Sequence, residues 1–315
     1  MGLIEATLPF SRVSELEIRA PEQTWLIESV WTQSAVGIIG GAPKCCKSWL
    51  GLDMAVSVAS GTPCLGRFAV TGPGPALVFM AEDAVHAVRS RIESLCIHRN
   101  LTIDVLDLYV ITASSIRLDL SGDQKKLRTT LSIIKPRLLI LDPLIRLHRL
   151  DENSSSEISK LLGFIRELQR AYDTAIVLVH HASKKHRAQP GQSLRGSSDL
   201  HAFGDSNAYL ARRKEQITLT LEHRSAKAPD PFEMELVSQN DGSATHLKIV
   251  SQVNSSSDSL PDRILGLLRN SRSPLTRMSL RSQLKVNNQR LGDCLIDLDK
   301  KGLVIRTSKG YMALS

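Results

Sequence analysis

Apolar runs of about five residues recur along the first two-thirds of the chain and alternate with stretches of helical period. The runs fall at 35–39, 76–80, 108–112, 137–141 and 175–179. Their unbroken hydrophobicity predicts parallel strands covered on both faces. Between them the spacing of apolar residues predicts helices over about 48–59, 84–97, 124–134 and 155–172. Beyond Leu210 the pattern changes. "EQITLTLEHRS" and "PFEMELVSQ" alternate apolar and polar residues, which predicts antiparallel strands at one edge. The expected fold class is α/β, a parallel sheet flanked by helices.

"SQVNSSSDS", residues 251–259, is polar and Ser-rich and reads as a linker between a domain over 1–250 and a small one over 260–315. In the small domain "LPDRILGLLRN" predicts a helix with Ile264, Leu267 and Leu268 inward, and "TRMSLRSQL" a second. After a "KVNNQ" turn, "RLGDCLIDLDKKGLV" predicts a third helix with Leu291, Leu295 and Leu298 on one stripe. "LVIRTSKGYMAL" then alternates around Lys309-Gly310 as a hairpin would. This order resembles a winged helix-turn-helix, whose third helix enters the DNA major groove while the wing meets the backbone. Charge sharpens the picture. The chain carries +8, and residues 259–315 hold eleven Lys/Arg against four Asp, so +7 of it sits here. A polyanion partner is expected. Arg290 and Lys309 are the candidate duplex contacts, with Asn287, Asn288 and Gln289 at the helix start. Asp293, Asp297 and Asp299 would oppose DNA if they faced it, and a winged helix used for protein contacts is the alternative.

The densest chemistry lies in "AVGIIGGAPKCCKSWLGLDMAV", residues 35–56. Gly41-Ala42-Pro43-Lys44-Cys45-Cys46-Lys47-Ser48 is one substitution from the phosphate-binding loop G-x-x-x-x-G-K-[ST], with Cys46 at the second glycine. An apolar strand runs in and a helix containing Trp49 runs out, so loop amides and the helix end would cradle phosphates. Lys47 would reach the β- and γ-phosphates of ATP, and Ser48 would place its hydroxyl on Mg²⁺. A left-handed Cys46 would cost about 1–2 kcal/mol. Adjacent Cys45 and Cys46 also suit a redox switch, since a helix N-terminus lowers a thiol pKa.

Other strand ends supply the remaining groups. Asp142 closes "PRLLILD" and is a second Mg²⁺ candidate. In "ALVFMAEDAVHAV", Glu82 is the candidate general base and Asp83 the cap of the following helix. "AIVLVHH" ends in His180 and His181, either of which would sense a γ-phosphate. Lys184, Lys185, His186 and Arg187 follow in a basic loop, a candidate DNA contact.

The order GAPKCCKS, MAED, LLILDPLIRLHRLDENSSSE, VLVHHASK and LRGSSDL, over about residues 20–230, resembles the RecA-like ATPases of the plasmid RepA replicative-helicase type. The resemblance implies a RecA-like P-loop NTPase core, an ATP-driven ring, commonly a hexamer, and single-stranded DNA as partner. It places Lys47, Ser48, Glu82, Asp142 and His180 or His181 in phosphate, Mg²⁺, catalytic and sensing roles. The trans-acting arginine has no unique match: Arg195, Arg212, Arg213 and Arg224 are candidates, with Arg195 the representative choice. A regulator or loader switched by ATP with little turnover, and a recombination mediator, are the rival readings.

Composition narrows the setting. Hydrophobic content of 42% is ordinary, and no run of eighteen apolar residues exists, so no membrane span is expected. The N-terminal text has no secretory pattern, and Ala6 stands where myristoylation prefers Ser or Thr. Five cysteines, an odd number without zinc spacing, suit a reduced, cytoplasmic chain.

Overall fold

The computed structural model describes residues 8, 10–16, 24–152, 154–181, 198–239, 243–251, 260–271, 273–284, 286, 288–308 and 310–314. The chain divides into two compact units, Met1–Val250 and Ser251–Ser315. Of the expected linker, residues 252–259 lie outside the described residues.

The first unit opens with a short antiparallel pair, β1 (Trp25–Ile27) and β2 (Trp31–Thr32). A β–α alternation follows: β3 (Val36–Gly41), α1 (Lys47–Ser60), β4 (Ala76–Met80), α2 (Val85–His98), β5 (Leu108–Val110), α3 (Ser121–Ile134), β6 (Leu138–Asp142), α4 (Ser155–Tyr172) and β7 (Ala175–His181). These are the elements the hydrophobic runs predict. Then come α5 (Ser198–Phe203), β8 (Ser206–Arg213), β9 (Gln216–His223), β10 (Phe232–Val237) and β11 (His246–Ser251). Nine strands form one sheet in the order β11-β10-β9-β8-β3-β7-β6-β4-β5. The run from β8 to β5 is parallel, whereas β9 lies antiparallel to both β8 and β10.

Strand alternation assigns the two faces. Val177, Val179, Leu138, Ile140 and Val78 join a core with α1 and α2, while Ile176, Leu178, Leu139, Leu141 and Phe79 join a second core with α3 and α4. Helix α1 is buried from Leu50 to Val58, as expected of a helix covering the centre of a sheet. Strand β8 escaped the hydrophobic reading because its entry is polar yet buried. Asn207 Oδ1 accepts from the Ile38 amide at 3.0 Å, and Ser206 Oγ accepts from the Thr32 amide at 3.2 Å. Those side chains bond to the backbone of neighbouring strands, which removes the cost of burying them. Gly37 permits this closeness, since a Cβ there would fall 1.6 Å from the Ser206 carbonyl oxygen. No helix among the described residues is long and apolar enough to cross a membrane.

The second unit contains α6 (Leu260–Asn270), α7 (Arg277–Leu284), α8 (Asn288–Lys300), and the antiparallel pair β12 (Val304–Thr307) and β13 (Gly310–Ala313). Leu291, Leu295 and Leu298 are buried as the stripe predicts, but on α6 it is Leu265 that joins Ile264 and Leu268, with Leu267 only half-buried. Helix α8 begins at Asn288, inside the expected turn. Leu275 bridges to Tyr311 through paired backbone bonds of 3.0 and 2.9 Å, adding a third short strand segment.

One buried ion pair ties α1 to α2. Arg99 Nη2 lies 2.6 Å from Asp53 Oδ2, with side chains 8% and 3% exposed. The other Asp53 oxygen accepts the Leu65 amide at 2.8 Å. Removing one partner strands the other charge in a dry interior, so Arg99→Ala is expected to cost about 3–5 kcal/mol. Urea unfolding checks this. Adding Asp53→Ala to Arg99→Ala should restore part of the loss.

Candidate functional site

The parallel strands end on one side of the sheet, and a cavity of about 400 Å³ opens there. It is lined by Pro43 to Trp49, Glu82, Asp83, Arg91, Asp142 and His181. The loop after β3 gives it shape. Lys47, 6% exposed, donates from Nζ to the Gly41 carbonyl at 3.0 Å and the Ala42 carbonyl at 2.9 Å. A Cβ at Gly41 would lie 2.4 Å from the Leu210 carbonyl oxygen and 2.7 Å from Cys45 Sγ, so only glycine fits. Cys46 stands at φ 67°, ψ 26°, in the left-handed conformation that the missing glycine requires. The redox expectation is corrected. Burial raises both the Cys45 and Cys46 thiols above their ordinary value, against the partial opposition of Lys47 at Cys45 and Arg212 at Cys46.

Asp142 leaves β6 on the α1 face, in line with Met80 of β4. Burial pushes its carboxyl up to about 6, although a hydrogen bond from Ser48 and the charge of Lys47 pull the other way. Its Oδ2 is buried without a hydrogen-bond partner among the described residues. A hydroxyl and a carboxylate side by side, with one oxygen left over, fit a hard divalent cation such as Mg²⁺.

Glu82 and Asp83 follow β4, anchored by the Ala81 amide on the Asp142 carbonyl at 2.7 Å. Glu82 Oε1 accepts from Arg146 Nε at 2.8 Å. Asp83 is no helix cap. Ala84 occupies the cap position without a side-chain bond, and Asp83 instead accepts two bonds from Arg91, at 2.6 and 2.9 Å. Arg91 also lies 5.8 Å from the Trp49 ring centroid. Sequence reading missed Arg91; its one signal is an eight-residue spacing from Asp83, about two helical turns.

Alternation separates the two histidines. His181 falls on the α1 face with Val177 and Val179 and lines the cavity. His180 falls on the opposite face, is 1% exposed, and has Nδ1 3.7 Å from Glu152 Oε1. Of the two candidates, it is His181 that the structure brings to the cavity.

Among the arginines, Arg212 donates to the Lys44 carbonyl of its own loop at 3.2 Å and pairs with Glu215. Arg224 is tied to Asp205 and to the Ala202 and Phe203 carbonyls. Arg213 is exposed at the end of β8. Arg195, Lys184, Lys185, His186, Arg187 and Lys309 lie outside the described residues, as does the side chain of Arg290.

Two substitutions test the strain and the buried charge. Cys46→Gly removes about 1–2 kcal/mol of left-handed strain against about 0.5–1 kcal/mol of added chain entropy. A net gain near 1 kcal/mol, or about 2–4 °C in a thermal melt, is expected. For Asp142 the folded pKa of about 6 lies above the ordinary 3.8, so its ionisation costs stability as pH rises through 6 and nothing when it is protonated in both states. Asp142→Asn, unfolded in urea without Mg²⁺, should gain about 1–3 kcal/mol near pH 7.5 and lose that advantage by about pH 4.

A family model described as an AAA domain matches residues 5–187. Among solved structures, the ATPase domain of G40P superposes with a TM-score of 0.53 over 70% of this chain and 87% of its own, at 12% identity. The RadB recombinase gives 0.49 over 70% and 92%, at 14% identity. At such identities the likeness to G40P is one of fold, an α/β core with a largely parallel sheet. The family match is the stronger finding, since it takes in more than half of the chain, including the 41–48 loop, Glu82, Asp142 and both histidines. The chain belongs to the AAA-domain family.

Proposed function

We propose that this protein is a Mg²⁺-dependent ATPase acting on DNA, a ring-forming motor of the RepA helicase type, built of six subunits. The observation that carries the reading is the meeting of Lys47, Ser48, Glu82, Asp142 and His181 around one cavity. The amides of the loop and the Lys47 ammonium hold the phosphates. Ser48 and Asp142 hold Mg²⁺, which supplies charge neutralisation to the phosphate oxygens. Glu82 takes the proton of the attacking water. His181 contacts the γ-phosphate end and passes its loss to the chain that follows, where Lys184, Lys185 and Arg187 would grip single-stranded DNA. Arg195 or Arg213 would serve a neighbouring subunit's site; Arg212 is engaged by its own loop.

The small unit supports a second contact, with duplex DNA. Its three helices and terminal hairpin follow the order of a winged helix, and most of the chain's net positive charge lies in it. Asp293, Ile296, Asp297 and Asp299 are exposed on α8. That face disfavours phosphate, so groove contact is given to the first turn of the helix, with Arg290, and contact with the DNA backbone to Lys309 of the wing.

ATP turnover, measured without DNA, with single-stranded DNA and with duplex, tests this. Turnover should rise with DNA and vanish in Lys47→Ala. Glu82→Gln should lower kcat by about 10²–10⁴ while still binding ATP. ATP binding without turnover under every condition would overturn the motor and leave an ATP-switched regulator or loader.

A further inference from the structure

The hairpin of the second unit has one face packed and one apolar face exposed. Val304 is 1% exposed, and Tyr311 and Ala313 pack beside it against the cluster formed with α6, α7 and α8. Side chains alternate along a strand, so Ile305 and Met312, directly opposite each other in register, fall on the other face. The Leu314 amide donates to the Leu303 carbonyl at 3.0 Å, which continues the register and adds both leucines to that face. All four side chains are 38–44% exposed. We propose that this hairpin takes up an extended segment of a partner protein as an added strand, one that reads acidic, apolar, any, apolar. The nucleotide site takes no part in it.

The free edge of β12 supplies the backbone part of the recognition. Tyr311 exchanges both of its backbone bonds with Leu275, at 3.0 and 2.9 Å, so its amide and carbonyl point away from β12. Arg306, its partner in register, therefore belongs to the non-hydrogen-bonded kind of antiparallel pair, with its own amide and carbonyl turned outward. Alternation turns those of Val304 outward too. Neither residue has a backbone hydrogen-bond partner among the described residues. An antiparallel strand laid along this edge bonds to both.

Side chains of the incoming strand then fall in a fixed pattern. Residues opposite Leu303 and Ile305 extend the apolar face. The residue opposite Arg306 meets an exposed guanidinium that makes no ion pair among the described residues, whereas Lys301, before the hairpin, is held by Asp297 at 2.7 Å. A carboxylate opposite Arg306 completes a cross-strand pair. The surrounding charge has the matching sign, eleven Lys/Arg against four Asp over residues 259–315. A second copy of the chain fits worse. Its β12, Val304-Ile305-Arg306-Thr307, brings no acid, and pairing it with itself about Ile305 leaves both guanidinium groups unmatched.

The test uses the full chain and a fluorescein-labelled peptide, Thr-Glu-Ile-Thr-Val-Thr, followed by fluorescence anisotropy. Laid antiparallel, its Glu opposes Arg306, its Ile opposes Ile305 and its Val opposes Leu303. Companion peptides carry Lys for Glu, Ser for both apolar residues, or N-methyl groups on Glu and the central Thr. The parent peptide is expected to bind saturably, and each companion about fivefold more weakly. Ile305→Thr should weaken the parent peptide about fivefold, and Arg306→Glu should reverse the preference, favouring the Lys peptide by a similar factor. Both positions are exposed, so the variants should melt as wild type does; if they do not, the peptide series on the unaltered chain still decides. Equal affinity of the unaltered chain for the Glu and Lys peptides, undiminished binding of the N-methylated or Ser peptide, or no saturable binding at all would overturn the strand addition. Sedimentation velocity identifies the rival occupant. An unchanged assembly mass in Ile305→Thr is expected, and a lowered mass would put a second copy on this face in place of a partner's strand.

Discussion

The buried ammonium of Lys47 dictates the local architecture. A charge 6% exposed must be met by acceptors, and the Gly41 and Ala42 carbonyls supply them at 3.0 and 2.9 Å. To turn those carbonyls inward the chain must curl tightly between β3 and α1. Lys44 and Cys46 both take positive φ to do so, at 63° and 67°. Crowding follows from the curl: the Leu210 carbonyl and the Cys45 thiol close on Gly41 until no Cβ fits. The unusual cysteine therefore accepts a geometry that the lysine imposes, and the rest of the cavity is built around that curl.

Much of this was legible in the sequence because two periods dominate it. Continuous apolar runs located β3 to β7, and the 3.6 period located α1 to α4, so the Lys-Ser pair, Asp142 and Glu82 fell at strand ends where ligands collect. The period of two carried further information that the linear text alone left ambiguous. Adjacent His180 and His181 point to opposite faces, and choosing between them requires knowing which face α1 covers. Burial of Val177 and Val179 with α1 puts His181 on the cavity side.

What the sequence hid has a common cause: polar atoms satisfied at long range. Ser206 and Asn207 look like loop residues but are buried against strands about 170 positions away in the chain. Arg91 looks like an ordinary helix-surface charge and is instead the partner of Asp83. Asp83 itself carries the signature of a cap yet spends its carboxylate elsewhere, because a guanidinium two turns on offers two bonds where a cap offers one. Local rules predict such residues only when no distant partner outbids the local one.

The same competition sorts the three carboxylates that ring the cavity. Asp83 is held by Arg91 at two oxygens, and Glu82 by Arg146 at one. Asp142 receives a hydroxyl and the field of Lys47, too little to offset burial, and the charges of Asp83 and Glu82 act on it unfavourably as well. Three acids of the same chemistry thus differ in what opposes their charge. The one with no paired guanidinium is the one with most to gain from a divalent cation, and it stands beside the Ser48 hydroxyl. The one held by a single exposed pair can be freed at little cost. The bidentate one is committed to holding α2 against the cavity wall. The roles proposed for them, structural tie, cation ligand and proton acceptor, follow the number and burial of the opposing charges, with no difference in residue type beyond one methylene.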